Sequence, residues 1–416
     1  MLPEVNKTHS QKIEKYKGII SNKLFEEIKS LSKKLKGLKV IHINATPRGG
    51  GVAEILKILV PLMQGVGLKA NWYINPPGQK FFALTKQIHN ALQGEKFQLS
   101  FNSRRLYMHH MENTAKLMQD MKADIWVIHD PQPLGVISYM SNFHSSIWRV
   151  HIDTSHPNKE TWEFIRPFME MYDKIIFTSK DFVGPFLPAE KVNIFPPAID
   201  PLNIKNSILG LDKSKNILES LGVDSSKPLI SQIARFDSWK DPLGVVKAYR
   251  IAKKKIPNLQ LALLGLFLAR DDPEAIKIFK EVKKETKNDS DVFLFSDPAQ
   301  IGSLKVDIFV NAFQTASTIV LQKSIREGFG LTVAEAMWKE KAVIGGNVGG
   351  IKLQIKDGKN GFLVSSPEET AKRIVQLIKE PSLARKLGKE AKKSVREKFL
   401  MPRLLKDYLK LFQELI

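Results

Sequence analysis

The chain of 416 residues contains no cysteine. A disulfide frame, a zinc–thiolate site and a thiol nucleophile are excluded together. Long apolar runs are missing as well. The best window, Leu259 to Ala269, is interrupted by Gln260 and is far too short to cross a bilayer. The opening stretch MLPEVNKTHSQKIEKYK has no apolar signal core, so the expectation is a cytoplasmic protein without a membrane partner. No His-Glu-x-x-His occurs, and zinc hydrolysis has no support. Acidic residues are the scarcer charge: 43 against 64 basic ones, for a net +21. That field draws anions such as nucleotides, sugar phosphates or nucleic acid. The cations are spread along the chain, with Lys253-Lys254-Lys255 the longest run, and no aromatic-interleaved basic motif appears. Both facts speak against a nucleic-acid partner. A hydrophobic share of 43% with 26% charged residues excludes disorder as the main state, and the length implies two or three domains.

What is present alternates. Lys39 to Ala45 is an apolar run that ends at Thr46-Pro47-Arg48-Gly49-Gly50-Gly51. Val52, Ile55, Leu56, Leu59, Leu62, Met63 and Val66 then recur at helical spacing. Trp72–Ile74, Ile125–His129, Ile147–Asp153, Ile175–Thr178 and Val192–Pro196 read as further strands. Three prolines within Pro196–Pro201 break the series and predict a linker. A second series follows: Leu229–Ala234, Leu259–Leu264, Val292–Phe295, Thr318–Gln322, Ala342–Ile344 and Phe362–Val364, with helices including Val333–Lys339 and Glu368–Lys379. The pattern predicts an α/β protein of two doubly wound, Rossmann-like domains facing a cleft, over residues 1–200 and 201–384. The basic helical tail, about 385–416, is expected to pack back on the first domain.

Four constellations carry chemistry. Gly49-Gly50-Gly51, between a strand and a helix start, lets a phosphate approach backbone amides, although the same glycines also make an ordinary turn. Arg235 and Lys240 follow the strand Leu229–Ala234. Two cations there can neutralise charge on a departing diphosphate without a metal, and each taken alone is also an unremarked surface cation. Glu327-Gly328-Phe329-Gly330-Leu331 leads into a helix carrying Glu335. The two acids are too far apart for one helical turn and would reach different parts of an extended ligand, pairing with vicinal hydroxyls. Amides near Gly330 and Leu331 can face phosphate. Finally, His129-Asp130-Pro131-Gln132 and His151-Ile152-Asp153 each close a strand, where polar groups can orient hydroxyls of a small ligand or simply satisfy one another.

In order and spacing these elements resemble the retaining GT-B glycosyltransferases of family four, over roughly residues 35 to 400. Gly-Gly-Gly-Val-Ala-Glu-Ile at 49–55, His-Asp-Pro-Gln-Pro at 129–133, Trp-Arg-Val-His-Ile-Asp at 148–153, Pro-Pro-Ala-Ile-Asp-Pro at 196–201 and Ser-Ile-Arg-Glu-Gly-Phe-Gly-Leu-Thr-Val at 324–333 are similar to its trehalose glycosyltransferring synthase branch. The resemblance implies transfer of glucose from a nucleoside diphosphate glucose to free glucose, reversibly, giving α,α-trehalose. It makes the first domain the acceptor side and the second the donor side. It implies that Arg235 and Lys240 bind the donor phosphates, with Gly49, Gly50 and Gly51 against them. Glu327 meets hydroxyls of the donor glucose, the turn Gly328, Phe329, Gly330 and Leu331 binds the donor, and Glu335 meets the ribose. His151 touches the transferred sugar. Asp130, with Gln132 and Asp153, fixes the sugars near the reaction centre. The nucleotide sugar is a substrate, no cofactor is tightly bound, no metal is needed for the chemical step, and a homodimer is possible. Two positions depart from the wider family: Asp241 stands where many members have Gly, which puts an extra negative charge near the donor phosphates, and Gly349–Gln354 lacks the usual Pro and Glu.

With no paired-carboxylate signature for a double displacement, the expected route is front-face attack, the departing phosphate taking the acceptor's proton. Two alternatives stay open. One is a trehalose phosphorylase using glucose 1-phosphate and phosphate, for which a ribose contact at Glu335 has no purpose. The other is a nucleic-acid-binding α/β protein.

Overall fold

The strands of both series are mostly apolar rather than alternating, as strands covered on both faces tend to be. In the computed structural model, which describes residues 1–5, 10–48, 50–75, 78–141, 143, 145–184, 187–265 and 273–416, they form two all-parallel six-stranded sheets. The first contains β1 (Lys39–Asn44), β2 (Lys69–Ile74), β3 (Ile125–His129), β4 (Ser146–Arg149), β5 (Lys174–Phe177) and β6 (Val192–Ile194), in the order β2-β1-β3-β4-β5-β6. The second contains β7 (Leu229–Ile233), β8 (Gln260–Leu264), β9 (Val292–Phe295), β10 (Ile319–Gln322), β11 (Ala342–Gly346) and β12 (Phe362–Val364), in the order β12-β11-β10-β7-β8-β9. Helices connect successive strands on both faces of each sheet, the doubly wound arrangement.

The strand orders locate where ligands fit. In the first sheet the winding reverses between β1 and β3, and in the second between β7 and β10. At such a switch point the connections diverge and leave a crevice at the carboxyl ends of the strands. The loops at these four ends include residues 45–48 and 50, the stretch from Asp130, the stretch from Ala234 to Asp241, and Lys323 to Gly330. Of the residues singled out from the sequence, Asp130, Arg235, Lys240 and Glu327 lie in them.

The chain divides into Met1–Ala198 with Met401–Ile416, and Ile199–Leu400, so both crossings between units fall at or next to proline-bearing segments. The expected tail is two helices, not one. Pro381–Lys398 packs on the helix Leu331–Trp338 within the second unit, and Met401–Leu415 packs on Asn22–Lys34 and Gly51–Gly65 within the first. The tail divides because Phe399 and Leu400 leave the helix to bond Ile199, whose N–H donates to the Phe399 carbonyl at 2.9 Å. β4 also ends earlier than its apolar run suggests. The Val150 N–H still reaches the Ile176 carbonyl at 2.9 Å, but the His151 N–H is taken by the Asp130 carboxylate at 2.9 Å, which turns the chain out of the sheet.

Candidate active site

In the second unit, Gln232 at the end of β7 organises the crevice. Its amide donates to the Lys240 carbonyl at 2.8 Å and accepts from the Lys323 N–H at 2.8 Å, tying the loop after β7 to the loop after β10. The Ile325 N–H adds a bond to the Trp239 carbonyl at 2.8 Å. This frame brings Lys240 Nζ to 2.6 Å from Glu327 Oε2, with both side chains largely buried. The Ser324 hydroxyl donates to the same oxygen at 3.1 Å. Glu327 Oε1 accepts nothing among the described residues. Arg235 is different: its side chain is 65% exposed and only pairs with Asp237, at 3.2 Å. Asp237 itself caps the turn Ser238–Lys240 through the Lys240 N–H, and burial raises its carboxyl above the usual range.

Asp241 has φ +47°, left-handed backbone, where glycine is at ease and an L residue is strained. Its side chain repays the strain by accepting from the Gly244 N–H at 3.0 Å at the start of the helix Pro242–Lys253, while Lys323 neutralises its other oxygen. A Cβ at position 244 would lie 2.1 Å from that carboxylate, so Gly244 is required by the cap. The extra negative charge expected beside the phosphates is therefore already paired.

Gly330, at φ +81°, ends the turn and caps the helix Leu331–Trp338 without a side-chain cap bond, its carbonyl accepting from the Val333 N–H at 3.0 Å. The Glu327 carbonyl accepts from Gly350 at 2.9 Å, and Gln354 donates to the Phe329 carbonyl at 2.6 Å. A Cβ on Gly350 would sit 2.3 Å from the Gly328 carbonyl, so the stretch lacking the family's usual Pro and Glu still grips the turn through its backbone and Gln354. The Phe329 ring is buried against Phe399, centroids 5.5 Å apart, and is packing rather than a ligand surface.

Glu335 is not beside Glu327's partners. Its carboxylate is buried, with Lys205 Nζ at 2.8 Å from Oε1 and the Gln314 amide donating to Oε2 at 3.1 Å. Burial pushes this carboxyl up, but Lys205 and Lys339 outweigh it and hold it below the ordinary range. Lys339, bonded to Gln314 at 2.8 Å, is itself pushed down by burial to about 8.

In the first unit Gly49 lies outside the described residues. Gly50 caps the helix Gly51–Gly65 and Gly51 begins it, both exposed. Asp130 takes left-handed backbone, φ +61°, and is buried, with its carbonyl accepting from the Trp148 indole at 3.0 Å. Burial lifts its carboxyl to about 7. His151 is half-buried beside it, and His129 Nδ1 stands 2.9 Å from His151 Nε2. Gln132 is half-buried. Asp153 is buried, and its Oδ1 accepts from the Ser155 N–H at 3.0 Å and hydroxyl at 2.6 Å.

Sequence reasoning missed Ser324, Gln232, Lys205, Gln314 and His42. None sits in a motif of its own, and only His42, a lone histidine inside the apolar run of β1, left a readable signal. No group of three His, Asp or Glu among the described residues could hold a metal ion, and no helix among them is long and apolar enough to cross a membrane.

Two doubly wound units, the second carrying a lysine–glutamate pair beside a helix start at its switch point, define a glycosyltransferase of the GT-B kind. Family models agree: residues 42–184 match the trehalose synthase N-terminal domain and residues 213–394 match the glycosyl transferases group 1. A trehalose synthase of Pyrococcus horikoshii is 42% identical over the whole of both chains. The chain belongs to the trehalose synthase family of group 1 glycosyl transferases. A trehalose phosphorylase of Pleurotus pulmonarius is more distant, 26% identical over 92% of this chain and 58% of its own. Among solved structures, a sucrose-phosphate synthase from Thermosynechococcus elongatus shares the fold, with a TM-score of 0.70 at 16% identity over 91% of this chain and 99% of that one.

Proposed function

We propose that this enzyme moves glucose from a nucleoside diphosphate glucose to free glucose, with retention and reversibly, to form α,α-trehalose. The observation that carries the reading is the full-length 42% identity to a trehalose synthase. The Lys240–Glu327 pair supports the donor half: a cation suited to phosphate and an acid suited to a sugar hydroxyl meet at one point, which is what a hexose joined to a diphosphate presents. Arg235, Lys240 and the amides at Leu331 stabilise charge as the diphosphate departs, which is where transition-state binding matters. Glu327 holds donor hydroxyls, and Glu335 reaches the ribose by exchanging Lys205 and Gln314 for sugar hydroxyls. Gly50 and Gly51 offer amides to phosphate, while Asp130, His151, Gln132 and Asp153 line the sugar side. The attack is front-face, with the acceptor's proton passing to the departing phosphate. No metal or tightly bound cofactor takes part in the chemical step.

A panel of nucleoside diphosphate glucoses and free sugars tests this directly. The expected product is α,α-trehalose from glucose and one or more nucleotide sugars. Trehalose formed only from glucose 1-phosphate would make the enzyme a phosphorylase instead. A cytoplasmic location and a homodimer complete the reading on family resemblance alone, and sedimentation of the pure protein checks the second.

A further inference from the structure

Three histidines from neighbouring strand ends form a continuous row in the first unit. His42 Nε2 lies 3.4 Å from Met63 Sδ, His42 Nδ1 lies 3.0 Å from His129 Nε2, and His129 Nδ1 lies 2.9 Å from His151 Nε2. A neutral imidazole has one N–H and one bare nitrogen, so a row of imidazoles can be ordered in only two directions. Met63 decides between them, because a thioether sulfur accepts and never donates. His42 therefore carries its proton on Nε2 and offers a bare Nδ1 to His129 Nε2–H. His129 in turn offers a bare Nδ1 to His151 Nε2–H. The opposite order would set a bare nitrogen against the sulfur lone pairs in a fully buried place, with no bond formed. Adding a proton to His42 or His129 would set two N–H groups against each other, and burial holds all three rings well below the ordinary histidine range.

We propose that Met63, His42 and His129 are positioning residues that fix His151 with a bare Nδ1. In that state His151 recognises a donor, such as a sugar hydroxyl, and not a phosphate oxygen, which has no proton to give. The proposal rests on the reading that His151 faces the transferred sugar. No described residue bonds His151 Nδ1, and the residue as a whole is half-buried.

The test is nitrogen-15 spectroscopy of the full chain with labelled histidine, together with Met63→Leu, which removes the acceptor at nearly constant volume. In the native protein all three rings should carry the proton on Nε2. In Met63→Leu the row should reverse in part, with His151 Nδ1–H appearing. The kcat/KM for the nucleotide sugar should fall about tenfold, while affinity for the nucleoside diphosphate alone stays unchanged. A merely structural role would disturb both or neither. A native His151 protonated on Nδ1 overturns the proposal, as does Met63→Leu with unchanged tautomers and unchanged rate. Tautomers as stated in a protein that transfers no glucose would uphold the ordering of the row and overturn the transferase reading instead.

Discussion

Glu327→Gln is expected to make the protein bind a nucleoside diphosphate more tightly while transferring glucose more slowly. Lys240 Nζ is 2.6 Å from Glu327 Oε2, so a phosphate oxygen at about 2.8 Å from the same nitrogen lies within about 5 Å of the carboxylate. At an effective dielectric near 20, two unit negative charges at about 5 Å repel by about 3 kcal/mol. Salt and the remaining exposure of both side chains leave on the order of 1 kcal/mol, or about fivefold in affinity. Turnover moves the other way, because a neutral amide binds a donor hydroxyl less strongly than a carboxylate; about ten- to hundredfold is expected. Lys240→Met should reverse the first effect, weakening the diphosphate about ten- to hundredfold through loss of a charge-assisted bond. Calorimetric titration of both variants with the diphosphate of the preferred nucleoside reads the signs. If Glu327→Gln binds the diphosphate no better than the native protein, the two side chains do not address one ligand and the reasoning fails.

Other outcomes follow from the same geometry. Arg235→Ala should slow transfer by about 10²–10³ without altering the thermal transition, since the side chain is largely in solvent; near-normal turnover removes it from the site. Asp130 has its carboxyl raised by burial to about 7, so the folded state holds a proton that the unfolded chain has lost above about 4. Stability from this group is full below about pH 4 and is lost as pH rises to about 7, and Asp130→Asn, which keeps the acceptor and tolerates φ +61°, should raise the melting temperature at pH 8 but hardly at pH 4. Melting curves of the two proteins at both values check the sign. Lys205→Met should leave Glu335 held by Lys339 and Gln314 but with one charge fewer, lowering stability by about 1–3 kcal/mol in urea titration; no change would show that the pair is dispensable.

The sheets were legible because strands buried on both faces carry near-continuous apolar runs, as in Ile125–Ile128 and Ile175–Phe177. Where a strand begins with polar residues, as β2 does at Lys69 and Asn71, the run was read too short. Arg235, Lys240 and Glu327 stood out because charge beside a turn at a strand end is conspicuous. Their pairing did not, since Lys240 and Glu327 lie 87 residues apart and meet only because β10 lies against β7. Asp241 read as an intruding charge because a sequence does not display φ. Glu335 read as a free acid because Lys205 and Gln314 reach it from segments with no motif of their own. The bonds from Ser155 to Asp153 were not legible because Ser155 is an ordinary loop serine.

Ile199 and Leu400 are bridge partners, and the last helix, Met401–Leu415, belongs with residues that precede the second unit. That helix places Tyr408 against His42 and sends Arg403 to the Pro196 and Pro197 carbonyls at 2.6 and 3.1 Å. On a ribosome the order of completion is therefore inverted. The half that is synthesised first must wait, missing a wall, while the inserted half emerges and can close on itself. A nascent chain that has reached only Leu400 would carry the second unit whole and the first without this helix, with neither Tyr408 against His42 nor Arg403 on the Pro196 and Pro197 carbonyls.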